Sequence, residues 1–173
     1  MTPTPGVPFR VGHGYDLHRL RQGGTLMLGG VAVSNEMSAV AHSDGDVVLH
    51  ATVDALLGAM GWGDIGEHFP NDDPRWKDGP SRVFVETVYG KVGAAGYAVG
   101  NVDVTVLAER PKLKAFKPEM VSSIAAALRI SPEQVNVKAG TNEGCDAIGR
   151  GEAIAAHAVV LLAAAGEIGK SET

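Results

Sequence analysis

Cysteine is nearly absent. A single Cys145 in 173 residues excludes an intrachain disulfide framework and suits a reducing compartment, with the lone thiol expected as a buried bystander. Positive charge is also in short supply. Lys and Arg total 15 against 20 for Asp and Glu, a formal net charge of -5, which argues against a protein that coats nucleic acid or an anionic membrane. Any anionic ligand must be held by local devices. The longest apolar run, residues 153–165, is interrupted by His157 and falls short of the roughly 20 residues that span a bilayer. The opening MTPTPGVPFR lacks the apolar stretch of a signal peptide, so the expected location is the bacterial cytoplasm. Repeats and linker-like segments are missing, and aromatic residues make up only 5% of a chain that is 45% hydrophobic. That composition fits one globular α/β (α+β) domain, expected over residues 9–166 between tails at 1–8 and 167–173.

Residues 9–18, FRVGHGYDLH, read as a strand whose period of two puts Asp16 and His18 on one face. TLMLGGVAV reads as a hairpin turning at Gly29 and Gly30. Residues 46–60, DVVLHATVDALLGAM, read as a helix with Ser43 or Asp44 as N-cap and Gly61 as closing residue. Its few polar residues, Asp46, His50 and Asp54, recur at i, i+4 and i+8 and share one side. That stripe is either the solvated face or a functional edge. A second helix is expected over 81–95, an alternating strand over 97–108, and a helix from Pro118 to Arg129 with Met120 or Val121, Ile124 and Leu128 toward the core. Ser131-Pro132-Glu133 starts one further turn, and VNVKAGT alternates as a strand. EAIAAHAVVLLAAA also alternates, through Ile154, Ala156, Ala158, Val160 and Leu162, and reads as strand although its alanines favour helix. The interleaving predicts a mixed four-stranded sheet with helices packed on one face. The alanine-rich strand invites the other face to pack against copies of itself.

Asp16 and His18, joined by His50 from the helix, offer one carboxylate and two imidazoles. Zinc accepts that donor set, and three protein ligands leave a fourth position open, as catalytic sites require. The plain alternative is a strand-end Asp and His hydrogen-bonded to a turn. In AHSDGDVVLH, His42 and Ser43 precede a helix N-terminus, where free N–H groups and the positive end of the dipole attract phosphate. Ser43 with Asp46 three residues on is equally a simple capping box. AERPKLK, with Arg110, Lys112 and Lys114, and KAGTNEG, with Lys138, Thr141 and Glu143, are either anion loops or solvated charged turns.

Read together, in this order and at this spacing, RVGHGYDLHRL, AHSDGDVVLHA, GDIGEHFP, NVDVTVLAERPKL, NVKAGTNEG and IGRGEAIAAHAVVLL make residues 10–163 resemble the 2-C-methyl-D-erythritol 2,4-cyclodiphosphate synthase family. The resemblance implies that Asp16, His18 and His50 bind one Zn2+ per active site, with Leu17 among the substrate contacts. It implies that His42 and Thr141 stabilise the transferring phosphate, with Ser43 beside the first and Gly140 and Asn142 beside the second. Asp64, Ile65 and Gly66 match an erythritol-binding turn, and Phe69, Pro70, Asn71, Asp72 and Asp73 match the loop that follows. The segment Ala108, Glu109, Arg110, Pro111, Lys112, Leu113, Lys114 matches the loop that receives cytidine and its phosphates. Glu143 matches the ligand of a second divalent ion, Mg2+ or Mn2+, bridging the substrate diphosphate.

The reaction so implied converts 4-diphosphocytidyl-2-C-methyl-D-erythritol 2-phosphate to the cyclic diphosphate with release of CMP, in the non-mevalonate isoprenoid pathway. The implied assembly is a homotrimer, its sheets facing one another, with metal tripod and cytidine loop contributed by different chains. Three positions depart from the family pattern. Asn71 replaces a common Asp, Gly140 stands where Thr is frequent, and Ala147 stands where Phe is frequent, near a trimer centre at which some members bind an isoprenoid diphosphate through a residue matched by Arg150. The alternatives are a zinc phosphohydrolase and a non-catalytic, metal-dependent nucleotide-binding module.

Overall fold

In a computed structural model of the chain, which describes residues 8–70, 72–76 and 79–166, the alternating segments form strands. β1 runs Phe9–Gln22, longer than its motif predicts, because its far end pairs with the short β4, Met37–Ala39. Between them β2 (Leu26–Leu28) and β3 (Val31–Ser34) make the expected hairpin, turning at Gly29 and Gly30 with φ of 60° and 78°. Those left-handed angles suit glycine at both positions. α1 (Val47–Met60) and the single turn α2 (Ile65–His68) follow, then α3 (Arg82–Ala94), β5 (Tyr97–Leu107), α4 (Lys117–Leu128), β6 (Val135–Gly140) and β7 (Ala153–Ala164). The expected tails and Asn71 lie outside the described residues, except Pro8, whose carbonyl accepts the Ala164 N–H at 2.8 Å.

The strand order is β4-β1-β7-β5-β6, antiparallel throughout except for the β5–β6 pair. The four long strands are those expected. β4 adds a fifth at the edge, too short for alternation to reveal. β7 is a strand because it is central, paired with β1 from Phe9↔Ala163 to Arg19↔Ala153 and with β5 on its other side. Ladder bonds on both edges outweigh the helical preference of its alanines. Ile154, Ala156, Ala158, Val160 and Leu162 are all completely buried toward the helices.

α1, α3 and α4 cover that same face, and their apolar residues join the sheet in one core. Met120, Ile124 and Leu128 of α4 are fully buried, whereas Val121 is only partly so. α1 is buried almost all round, so its polar stripe is not a solvated face: Asp46 is 0% and His50 9% exposed. Among the described residues, no helix covers the opposite sheet face. Val11 is 68%, Tyr15 46% and Val159 40% exposed there. Cys145, expected to be buried, is exposed in the loop after β6. Among the described residues no helix is long and apolar enough to cross a membrane.

Candidate metal centre and active-site cleft

Two glycines bring the site together. Gly12 and Gly14 lie on the side of β1 that carries Asp16 and His18, and a Cβ on either would fall 1.8 Å from the Ala55 carbonyl oxygen or 1.9 Å from that of Ala51. Their bare backbone lets α1 lie directly on β1, with alanines on the helix side completing the close approach. His50, one residue before Ala51, is thereby carried to the strand.

His50 Nδ1 stands 2.9 Å from Asp16 Oδ2, and His18 Nε2 stands 3.2 Å from the same oxygen and 3.3 Å from His50 Nδ1. All three ligand atoms lie within 4.8 Å of one another. Donors each about 2.1 Å from a tetrahedral ion are separated by about 3.4 Å, so the residues fit a divalent metal with little movement. It is the one such group of three found among the described residues.

Burial pushes the Asp16 carboxyl up, but the His50 hydrogen bond and the charges of His18 and His50 outweigh it and hold the group below its usual range. His18 is lowered by burial, with Asp16 opposing. For His50, burial favours the neutral ring, yet the hydrogen bond and charge of Asp16, reinforced by Asp46 and Asp44, raise its pKa. The surroundings thus favour the charged forms of Asp16 and His50 and the neutral form of His18.

The tripod forms one wall of a cleft of about 350 Å³. His42 and Ser43 line it, together with Ile65, Gly66, Phe69 and Asp73. Asp64 caps α2 by accepting the Glu67 N–H at 3.1 Å, and Asp54 accepts the Ile65 N–H at 2.8 Å, fixing this turn against α1. Asp73 is paired with Arg75, while Pro70 and Asp72 are exposed. Sequence reasoning missed Trp76 and Phe84, which also line the cleft; Phe84 stacks on Phe69 at 4.5 Å between ring centres and Trp76 meets it edge-on at 5.1 Å.

The helix end differs from expectation. Neither Ser43 nor Asp44 caps α1; Asp46 does, accepting from Val48 and Leu49 at 3.1 Å each. Ser43 Oγ accepts the Gly45 N–H instead, so the alternative reading of Ser43 and Asp46 as a capping box does not hold. Because the Asp46 carboxylate already accepts from Val48 and Leu49, those two helix amides are not free for phosphate. Ser81, expected only as a helix start, makes no cap bond and turns its hydroxyl to His50 Nε2 at 2.8 Å. A serine before a helix looks like a cap in any sequence, which is why this contact was illegible.

The remaining predicted residues lie elsewhere on the chain. Ala108, Pro111, Lys112, Leu113, Lys114, Gly140 and Thr141 line a separate hollow of about 390 Å³ that shares no lining residue with the cleft. There the Thr141 hydroxyl donates to Glu109 and accepts the Glu143 N–H at 3.1 Å. Asn142 donates to Asp146 at 2.8 Å. Leu17 points away from Asp16 and His18 and, with Arg110 and Ala147, lines a third hollow of about 730 Å³. Arg150 pairs with Glu152 at 3.0 Å.

An α/β domain whose Asp16, His18 and His50 could hold a metal ion at the wall of a cleft is of the class that its sequence resembles. The chain belongs to the YgbB family, whose model matches residues 9–163. The 2-C-methyl-D-erythritol 2,4-cyclodiphosphate synthase of Bordetella avium is 52% identical over 157 residues, covering 91% of this chain and 97% of that one. The bifunctional IspDF of Campylobacter jejuni superposes with a TM-score of 0.88 at 41% identity, over 94% of this chain and 44% of that chain. The IspF of Plasmodium falciparum in complex with CDP gives 0.80 at 35% identity, over 90% and 96%.

Proposed function

We propose that this protein is a 2-C-methyl-D-erythritol 2,4-cyclodiphosphate synthase, closing the cyclic diphosphate from 4-diphosphocytidyl-2-C-methyl-D-erythritol 2-phosphate and releasing CMP. The observation that carries the reading is the tripod of Asp16, His18 and His50, with ligand atoms within 4.8 Å, opening on the cleft of a chain of this family. Asp16, His18 and His50 would hold Zn2+, which when bound supplies Lewis acidity to phosphoryl oxygens.

The chain's own residues position and neutralise. An oxygen of the substrate 2-phosphate attacks the β-phosphorus, a P–O bond forms there, and the bond to the bridging oxygen of the α-phosphate breaks, leaving with CMP. No base is needed, because the attacking oxygen is already anionic. Holding two phosphates in line within one molecule is worth an effective molarity of up to about 10⁸ M. His42 and Ser43 offer donors at the cleft wall, the Asp64–Gly66 turn and Phe69 seat the erythritol, and Thr141 serves the transferring phosphate. The loop 108–114, with Lys112 and Lys114, receives the cytidine diphosphate end. Glu143 would offer a carboxylate to Mg2+ or Mn2+, which when bound would neutralise phosphate charge.

Because cleft and cytidine hollow share no residue, the reading includes a homotrimer that joins one chain's tripod to a neighbour's loop. The sheet face that no described helix covers supports it. A cytoplasmic location belongs to the same reading. The test is phosphorus NMR of the substrate incubated with zinc-loaded protein and magnesium. Cyclic diphosphate and CMP are expected, and the His18→Ala variant should lose bound zinc and turnover together. Inorganic phosphate with solvent oxygen incorporated would mean a phosphohydrolase, and unchanged substrate a binding module.

A further inference from the structure

His50 meets the tripod with one ring nitrogen only. Its Nδ1 faces Asp16 and His18, while Nε2 faces away, 2.8 Å from Ser81 Oγ and 3.1 Å from Ser43 Oγ. Ser81 is completely buried. Its hydroxyl donates to Asp44 Oδ1, and its backbone N–H donates to Asp44 Oδ2 at 3.0 Å. Asp44 is itself fixed, accepting the Asp46 N–H at 3.3 Å and donating its own N–H to the Gly79 carbonyl at 3.3 Å. The loop before α1 is thus tied to the segment before α3.

Counting protons gives each bond its direction. A carboxylate only accepts, and a serine hydroxyl has one proton to give. That proton goes to Asp44, so Ser81 can offer His50 nothing but a lone pair. The bond must run from His50 Nε2–H to Ser81 Oγ. With Nε2 protonated, a neutral ring carries its lone pair on Nδ1, the atom that faces Asp16 and His18. Ser43 is different: its oxygen accepts the Gly45 N–H at 3.2 Å, and the nearest acceptor for its proton is Ser81 Oγ at 3.5 Å, the outer limit of a hydrogen bond.

We propose that Asp44 and Ser81 form a positioning pair that locks His50 in the Nε2–H tautomer, so that Nδ1 is presented to a divalent metal ion and the Ser43 hydroxyl keeps its proton for an anionic ligand in the cleft. The proposal rests on the zinc reading above. Neither residue touches metal or substrate; both act through His50. Such a partner on the far nitrogen of a metal-bound imidazole fixes ring orientation and raises ligand basicity, and its loss typically costs about 10- to 100-fold in metal affinity.

The experiment is a pair of measurements. In wild-type protein loaded with Zn2+, long-range proton–nitrogen correlation spectra should show His50 protonated on Nε2 and coordinated through Nδ1. A proton on Nδ1, or coordination through Nε2, overturns the proposal without any variant being made. In parallel, competition against a chromophoric zinc chelator should find Ser81→Ala weaker than wild type by about 10- to 100-fold, with Asp44→Asn shifted the same way and circular dichroism unchanged. If wild type binds zinc and a folded Ser81→Ala binds it equally well, the pair has no positioning role and the metal reading survives. If wild type takes up no zinc, the metal reading itself fails and the proposal with it.

Discussion

Asp46 is completely buried and accepts four backbone N–H bonds, from Gly29 at 2.8 Å, Gly30 at 2.6 Å, and Val48 and Leu49 at 3.1 Å each. Burial pushes its carboxyl up and the Gly30, Gly29 and Leu49 amides oppose that shift. One side chain so clasps the β2–β3 turn to the start of α1, the helix that delivers His50. Asp46→Ala would leave the buried amides of Gly29, Val48 and Leu49 without that partner, and each buried donor left unpaired costs about 1–3 kcal/mol. A loss of about 3 kcal/mol or more is expected, read as a lowered urea midpoint at unchanged slope. A loss below about 0.5 kcal/mol would show that the clasp carries no weight. In sequence Asp46 is only one member of a polar stripe. Two of its partners lie 16 and 17 residues earlier, and helical spacing says nothing about a hairpin turn folding back over the helix end. Asp16 and His18, by contrast, were legible, because strand alternation alone puts them on one face.

At the level of elements, the seam between β1 and α1 decides whether the site exists. Gly14→Ala would set a methyl 1.9 Å from the Ala51 carbonyl oxygen, which only a shift of helix or strand can relieve. Overpacking of this kind typically costs on the order of 1–3 kcal/mol, and here the displacement moves His50 from Asp16. Zinc retention should therefore fall further than the thermal midpoint suggests. Gly58→Ala is the counterpart within the same helix. A Cβ there meets only the His13 carbonyl oxygen at 3.7 Å, an ordinary contact, so replacing a helical glycine should raise stability by about 0.5–1 kcal/mol with zinc binding unchanged. Calorimetry with a zinc titration on both variants checks the contrast, and equal effects would refute the seam. The glycines of VGHG and the alanines of the helix are visible in the sequence; that they face each other is not.

Over the whole molecule, every long helix lies on one side of the sheet, and the other side keeps Val11, Tyr15, Leu17 and Val159 exposed. Val11→Asp should leave the single chain's fold intact, since that side chain is already 68% exposed. In a trimer closed through this face it would bury three carboxylates, at several kcal/mol per uncompensated charge. Light scattering is expected to report trimers for wild type and monomers for the variant, with turnover lost as the shared sites come apart. A variant that stays trimeric and active would place the interface elsewhere. Local pattern was enough for nearly all the elements, the D-x-H pair and the family resemblance, since strand and helix periods, turn glycines and motif words are short-range properties of the chain. Folding in three dimensions decided what no short window holds: that α1 is enclosed rather than solvated, that Asp46 and not Ser43 caps it, that Ser81 serves His50 instead of its own helix, and that the tripod and the loop 108–114 line separate hollows. Each depends on which distant groups are brought into contact, and the low dielectric between them makes every buried hydrogen bond or unpaired charge count.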